Sequence, residues 1–249
     1  MMTEGMFNNF FLPGIWITIQ VTVYSAILAA AVAFLIGTLR TSRFWIVRFL
    51  SGAYFEIFRG MSSLVLMFWL VFSVPLLLQW QFVPMFAGVL ALGLTYGAYG
   101  SEIVRGALAA VPVAQREAGI ALGFTRFQRL RRIEIPQAWP EMMPPFNNLL
   151  IELLKGTALV STITVADMAY AGNLVRIGQG ESAPIYTLLL VLYFIMAFLL
   201  TRGMRVVERY AKANVGQAPP KKQGLLSKLS LREAGGEGST GAPVAGGAK

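Results

Sequence analysis

The residue types able to do chemistry in this sequence are few, and the first pattern among them is a phrase, E-I-x-R-G, that occurs at Glu56 to Gly60 and again at Glu102 to Gly106. A Glu and an Arg three residues apart share one helix face. Glu56 with Arg59, and Glu102 with Arg105, therefore read either as boundary ion pairs that neutralise themselves where water ends or as pairs that exchange partners when a gate opens. Glu152 and Lys155 repeat the spacing inside an otherwise apolar pattern. Intramembrane ionisable groups point to function by default, so this pair reads as part of a translocation path or gate, or equally as a packing device. Covalent chemistry is poorly supplied. The 249 residues contain no His and no Cys, which excludes Ser-His and Cys-His nucleophile pairs, zinc clusters and disulfides. The G-x-x-x-x-G-K-[ST] phosphate loop is also absent, so the chain cannot hold ATP by that device. No catalytic residue, metal or cofactor is expected on it.

The elements that must position these residues follow from where the charges lie. Hydrophobic side chains make up 56% of the chain and charged ones 13%, with a mean hydropathy of +0.62; a soluble domain is about a quarter charged. A bilayer span needs roughly 20 apolar residues, and such stretches are expected at about 15–39, 52–78, 84–105, 143–170 and 183–204. The reversal between the second and third is placed in SVPLLLQWQFVP, where Pro75 and Pro84 bracket Trp80, an aromatic suited to the membrane interface. The fourth span carries Glu152, Lys155 and Asp167 and is expected to face protein or water.

Sidedness is read from Lys and Arg. The loops holding Arg40, Arg43 and Arg48, then Arg105 to Arg132, then Arg202 onward are basic, and the intervening ones are not. Five spans with the N-terminus outside and the C-terminus in the cytoplasm satisfy every loop. The surplus of 21 Lys and Arg over 12 Asp and Glu is thereby explained by orientation. Nucleic-acid binding, which would need a soluble basic face, is not expected. The chain thus reads as an all-α membrane protein with a transmembrane domain over 1–212 and a Gly-, Pro- and Ala-rich tail over 213–249 expected to be disordered.

The cytoplasmic segment 106–142 is too long for a connector, since loops that merely join helices are a handful of residues. Within it, PVAQREAGIALGF places Ala114, Ala118, Ala121 and Leu122 at helical spacings, giving a short helix with one smooth face. Gly123 falls where a left-handed cap would end that helix. A second amphipathic stretch follows, which Pro136 and Pro140 are expected to stop. Spacing alone leaves open whether this helical hairpin docks a partner or lies on the membrane surface.

The order Glu117, Ala118, Gly119, three residues, Gly123, nine residues, Ile133, one residue, Ile135, Pro136 resembles the EAA signature of permease subunits of bacterial ATP-binding cassette importers, with Gly119 where a second Ala is usual and Ile135 where Leu is usual. The resemblance covers most of the chain and is closest to the polar amino-acid uptake permeases. It includes AYFEIFRGMSS at the second helix, AYGSEIVRGALAAVPVAQREAG at the end of the third and KGTALVS at Lys155 to Ser161. It implies a multi-pass subunit of the bacterial cytoplasmic (inner) membrane. It also implies a second permease, identical or homologous, an ATPase dimer that carries the ATP and Mg, and an extracytoplasmic solute-binding protein. In that family the signature forms a coupling helix seated in the ATPase, and Glu117, Ala118, Gly119, Gly123, Ile133 and Pro136 occupy its positions. Met61, Ser62 and Ser63 stand where the family has Thr-Pro-Leu, Met67 where Gln is common, and Gly156 and Ala158 where Asp and Ser are common, so a less polar lining is expected; FRGMSSLVLMFWLVF resembles ectoine and hydroxyectoine permeases. The expected function is uptake of a polar amino acid or an amino-acid-derived compatible solute by alternating access. The alternatives are a secondary transporter or channel, which should show repeated halves and broken helices, neither of which the sequence displays, and a membrane-embedded enzyme without a recognisable catalytic pair.

Overall fold

The computed structural model describes residues 7–180 and 182–214, and every regular element among them is helical. In chain order these are α1 (Phe7–Leu39), α2 (Trp45–Gly60), α3 (Ser63–Leu78), α4 (Pro84–Ala110), α5 (Val113–Ala121), α6 (Arg126–Ile163), α7 (Met168–Gln179) and α8 (Ala183–Asn214). The expected tail beyond residue 214 lies outside the described residues.

α1 is built inside out relative to a helix of a water-soluble protein. Its buried residues are Gly14, Thr18, Val21, Thr22, Ser25, Ala29, Ala33 and Gly37, a stripe at helical spacing, while Trp16, Ile19, Tyr24, Ile27 and Leu35 are exposed. Lipid is as apolar as Leu, so helices in a bilayer gain by close packing of small residues and not by hiding large ones. Both threonine hydroxyls on this buried stripe turn back onto the helix: Thr18 donates to the Gly14 carbonyl at 2.9 Å and Thr22 to the Thr18 carbonyl at 2.7 Å.

The partner of that stripe is α4. A Cβ added at Gly93 would meet Leu28 at 2.5 Å, one at Gly97 would meet Val32 at 2.7 Å, and one at Gly100 would meet Ala33 at 2.7 Å. From the other side, a Cβ at Gly37 would meet Val104 at 2.7 Å. The two backbones thus approach along their length through Gly93, Gly97 and Gly100, one face of α4. Three apolar clusters surround this seam. Val21, Leu66, Met67, Ala87, Leu92 and Ile163 join α1, α3, α4 and the end of α6; Ala33, Val104, Leu108, Ala138 and Met142 join the opposite ends of α1 and α4 to α6. Phe11, Met168, Val175, Ile185 and Leu189 join the start of α1 to α7 and α8.

Several expected boundaries are corrected. The single span expected over 52–78 is two helices, α2 and α3, bent by 97° at Met61 and Ser62, both in extended conformation. The break follows Gly60. α2 packs across α4, where the Tyr54 hydroxyl donates to the Leu94 carbonyl at 2.8 Å. The segment 106–142 holds the expected helical hairpin with different bounds, because α4 continues to Ala110 and α6 runs from Arg126 into the fourth expected span. Pro136 and Pro140 do not stop α6. A π-helical turn at Leu130–Glu134 precedes Pro136, and the helix carries Pro140, Pro144 and Pro145 in its interior. Such prolines are tolerated in membrane helices where neighbours and local widening satisfy the freed carbonyls. The fourth expected span ends early, at Ile163; Thr164 adopts a left-handed conformation and α7 leaves at 52°.

α1 and residues Ala183–Tyr210 of α8 are each long and apolar enough to cross a bilayer, and the two bent pairs raise the number of candidate spans to four. Against the five expected, the span at 84–105 is missing from that set. It is α4, the helix enclosed by α1, α2, α3 and α6. Its interior position calls for Gly and Ala more than for apolar bulk.

The seam makes a testable distinction among glycines. Gly97→Val should destabilise by about 1–3 kcal/mol, the usual cost of overpacking. Gly52→Ala, with open space around its Cβ position inside α2, should be neutral or stabilising by up to about 1 kcal/mol. Denaturant titration of the purified protein followed by Trp fluorescence measures both, and equal effects would contradict the seam.

Candidate functional site

The joint between α5 and α6 is set by two local signals. After Ala121 the chain closes a Schellman motif: the Phe124 amide donates to the Gly119 carbonyl at 3.0 Å and the Gly123 amide to the Ile120 carbonyl at 2.9 Å, with Gly123 at φ +72°. A left-handed residue at this position satisfies carbonyls that the helix end leaves free, and Gly takes it without strain. α6 then opens on a capping box, which the sequence reading missed although Thr125 and Gln128 carry its spacing. The Thr125 hydroxyl accepts from the Gln128 amide at 3.3 Å, and the Gln128 side chain accepts from the Thr125 amide at 2.9 Å.

This joint presents α5 outward. Gly119 is buried against α6, where an added Cβ would sit 2.8 Å from Ile133 Cδ1 and 3.2 Å from Arg129 Cδ. That contact gives a physical reason for Gly where the resembled signature has Ala. Ala114, Glu117, Ala118 and Ala121 are exposed, as are Val113, Ile120 and Leu122 at 64%, 60% and 70%. Ile133 is half-buried beneath α5 and Pro136 is exposed on α6. Between them the ion pair Arg129–Glu134, at 3.1 Å and largely shielded from solvent, spans the π-helical turn. Arg116 reaches back from α5 to the Leu108 carbonyl of α4, and Arg126 reaches the Thr41 carbonyl beyond α1. The exposed helix is therefore fixed to three elements at its base.

Of the two repeated phrases, one forms the expected pair. Glu102 binds Arg105, whose Nε lies 3.1 Å and 3.2 Å from its two carboxylate oxygens. It also binds Arg40 at 2.6 Å. Arg40, which the sequence reading used only for sidedness, is 14% exposed and stacks its guanidinium 4.1 Å from the centre of the Phe55 ring. It thereby ties the end of α1 to α2 and α4. Glu56 and Arg59 are both exposed, and among the described residues no hydrogen bond or ion pair joins them. Arg59 lies 5.6 Å from the centre of the same Phe55 ring. Cation–ring attraction and the crossing of α2 over α4 replace the pair expected from spacing.

Glu152 and Lys155 are likewise exposed and unpaired with each other. Beside them, the Tyr96 hydroxyl of α4 donates to the Glu152 carbonyl at 3.0 Å. An apolar cleft of about 260 Å³ opens nearby, lined by Phe34, Tyr96, Trp139, Phe146, Leu153 and Met204. The buried acid of this region is Asp167, noted in the sequence but given no role. Fully enclosed, it caps α7 by accepting from the Tyr170 amide at 2.9 Å and accepts from the Tyr193 hydroxyl of α8 at 3.4 Å. Among the described residues no three acidic side chains converge as a metal site would require.

The sequence profile of the family described as binding-protein-dependent transport system inner membrane component matches residues 25–212. The "probable amino-acid ABC transporter permease protein y4tF" of Sinorhizobium fredii is 46% identical over 200 residues, 78% of this chain and 84% of that protein. The L-cystine transport system permease TcyB of Bacillus subtilis is 33% identical over 197 residues, 79% of this chain and 84% of that protein. Among solved structures, an amino acid ABC transporter crystallised with histidines aligns with a TM-score of 0.75 at 25% identity, over 84% of this chain and 100% of that one. The inward-facing methionine transporter MetNI shares the fold, with a TM-score of 0.71 at 20% identity over 84% and 99%.

The two copies of E-I-x-R-G are expected to respond differently to charge removal. Glu102→Gln leaves the shielded Arg40 without its carboxylate and should cost about 1–3 kcal/mol, below the full loss for a buried pair because Glu102 is 39% exposed. Glu56→Gln should be nearly silent. Denaturant midpoints of the two variants against the parent check this, and a silent Glu102→Gln would remove the ion pair from any structural role.

Proposed function

The chain belongs to the binding-protein-dependent transport system inner membrane components, and on that premise we propose that it imports a polar amino acid or an amino-acid-derived compatible solute such as ectoine. It is an ABC importer permease of the bacterial inner membrane. The named relatives and the amino acid transporter structure support the solute class. With Met67 buried in the core, the departures left to bear on the solute are Met61, Gly156 and Ala158, and they offer it fewer polar groups than the resembled pattern does.

In this reading the chain spans the membrane with its N-terminus outside, pairs with a second permease, identical or homologous, and receives solute from an extracytoplasmic binding protein. ATP and Mg reside on a partner ATPase dimer, whose closure drives alternating access. The observation that carries the coupling role is the exposure of Val113 and Ile120 on a nine-residue helix and of Leu122 at its C-terminal cap. Large apolar side chains on a short cytoplasmic helix call for a protein partner, and Ala114, Ala118 and Ala121 between them let it approach closely. Glu117 offers a charge to a basic residue of that partner. Arg116 and Arg126 at the base of α5, with the ion pair Glu102–Arg40 behind them, form the stiff connection through which its displacement would reach α1 and α4.

The bent helices revise the comparison with a secondary transporter, since broken helices were to be its mark. The bends at Met61 and Thr164 occur in a chain whose family is shown by its sequence, so they are no argument for ion coupling. The exposed Glu152 and Lys155 stand as polar groups beside a possible path.

Two variants test the coupling role. Glu117→Trp and Gly123→Val should insert normally yet fail to hold the ATPase, the second because a branched residue at positive φ costs about 1–2 kcal/mol. Co-purification with candidate ATPases, and uptake in vesicles, read the outcome. Wild-type association by both variants would sink the coupling assignment, and solute-stimulated ATP hydrolysis in the reconstituted complex would identify the solute.

A further inference from the structure

The underside of the α5 joint holds an unusual concentration of positive charge. A pocket of about 640 Å³ lies between the end of α1, the chain leading to α2, the end of α4, and the α5–α6 hairpin, and Arg40, Arg43, Arg105, Arg116, Arg126 and Arg129 all line it. Two carboxylates answer them: Glu102 pairs with Arg40 and Arg105, and Glu134 pairs with Arg129. Arg43, Arg116 and Arg126 meet no carboxylate among the described residues. Arg43 lies 4.9 Å from the centre of the Phe44 ring, and Arg116 and Arg126 donate to backbone carbonyls. The Nε of Arg116 is buried with no partner. A buried guanidinium donor without an acceptor is costly, and six arginines against two acids in one pocket call for an anion.

The surroundings indicate its source. Phe44, Trp45, Ile46, Phe49 and Leu50, on the stretch leading into α2, are 59%, 66%, 65%, 58% and 62% exposed. Arg43 and Arg48 alternate with them. Apolar and aromatic side chains interleaved with arginines are the pattern of a helix lying at the headgroup boundary. A soluble anion would explain the arginines and leave these side chains bare. We propose that Arg43, Arg116 and Arg126 hold the phosphate of an anionic phospholipid of the cytoplasmic leaflet, whose acyl chains run along the apolar face of α2. The proposal rests on the sidedness given above. Its consequence is that lipid charge acts on the base of the coupling helix, because Arg116 belongs to α5 and Arg126 opens α6.

The test uses the full chain in nanodiscs of phosphatidylcholine mixed with phosphatidylglycerol, extracted in mild detergent, with retained lipid counted by mass spectrometry. The parent protein should retain phosphatidylglycerol in preference to phosphatidylcholine, and added inorganic phosphate should not displace it. Arg43→Gln with Arg126→Gln should weaken retention by about 30-fold. The single exposed change Arg43→Gln, which removes no hydrogen bond to the fold, should weaken it about fivefold. Arg202→Gln with Arg205→Gln, near the end of α8, should leave it unchanged. Equal retention of the two lipids, undiminished retention by the variants, displacement by phosphate, or displacement by bound ATPase would each overturn the proposal. The chain contains no Cys, so Gln115→Cys labelled from one side reports sidedness separately. Labelling from outside would defeat the topology itself, whereas labelling from inside with no retained lipid would defeat the lipid site alone.

Discussion

The close approach of α1 and α4 is the constraint from which the rest of this structure follows. Gly37, Gly93, Gly97 and Gly100 sit where even a methyl group would collide with Val104, Leu28, Val32 and Ala33, so both backbones are held at a separation only glycine permits. In a bilayer, where hiding large side chains gains nothing, this packing is a main source of helix association. It encloses α4 within the bundle and leaves the large residues of α1 facing outward. The ion pairs of Glu102 with Arg40 and Arg105 close the same seam at one end, and Phe55 beneath Arg40 brings α2 onto it.

A rigid seam gives the α5 joint something to act upon. α5 is fastened to α4 through Arg116, α6 is fastened to the end of α1 through Arg126, and Gly119 lets Ile133 pack against the underside of the helix. A push on α5 is therefore delivered to the ends of α1, α4 and α6 together. The bends at Met61 and Thr164 lie at the edges of this unit, where α3 and α7 leave it. Such an arrangement suits a permease whose moving force arises on another chain.

Local chemistry at the joint was legible in the sequence because it depends on neighbours only. Gly123 announced a left-handed cap, the small residues from Ala114 to Ala121 announced a smooth helix face, and both are present. The Thr125 cap was equally local and was overlooked beside the arginines that follow it. Features set by distant packing were not legible. Glu56–Arg59 and Glu102–Arg105 have the same spacing, and what separates them is distant in the chain: Arg40, 62 residues from Glu102, joins the second pair, while Arg59 lies over the Phe55 ring. Pro136 and Pro140 read as helix stops by local rules, yet the π-helical turn before them and the enclosure of α6 carry the helix through. The enclosed α4 reads as a span from its lack of charge, yet its Gly-rich composition keeps it out of the set of helices apolar enough to cross a bilayer by themselves.

In the function proposed above, α5 is the surface through which an ATPase acts on the seam of α1 and α4. With no native Cys to interfere, a single Cys at Ala118 can be cross-linked to the ATPase in the assembled complex while a Cys at the exposed Leu190 of α8 serves as control. The account predicts cross-linking from Ala118 that varies with nucleotide and none from Leu190. An Ala118 variant that transports normally yet never cross-links in any nucleotide state would contradict it.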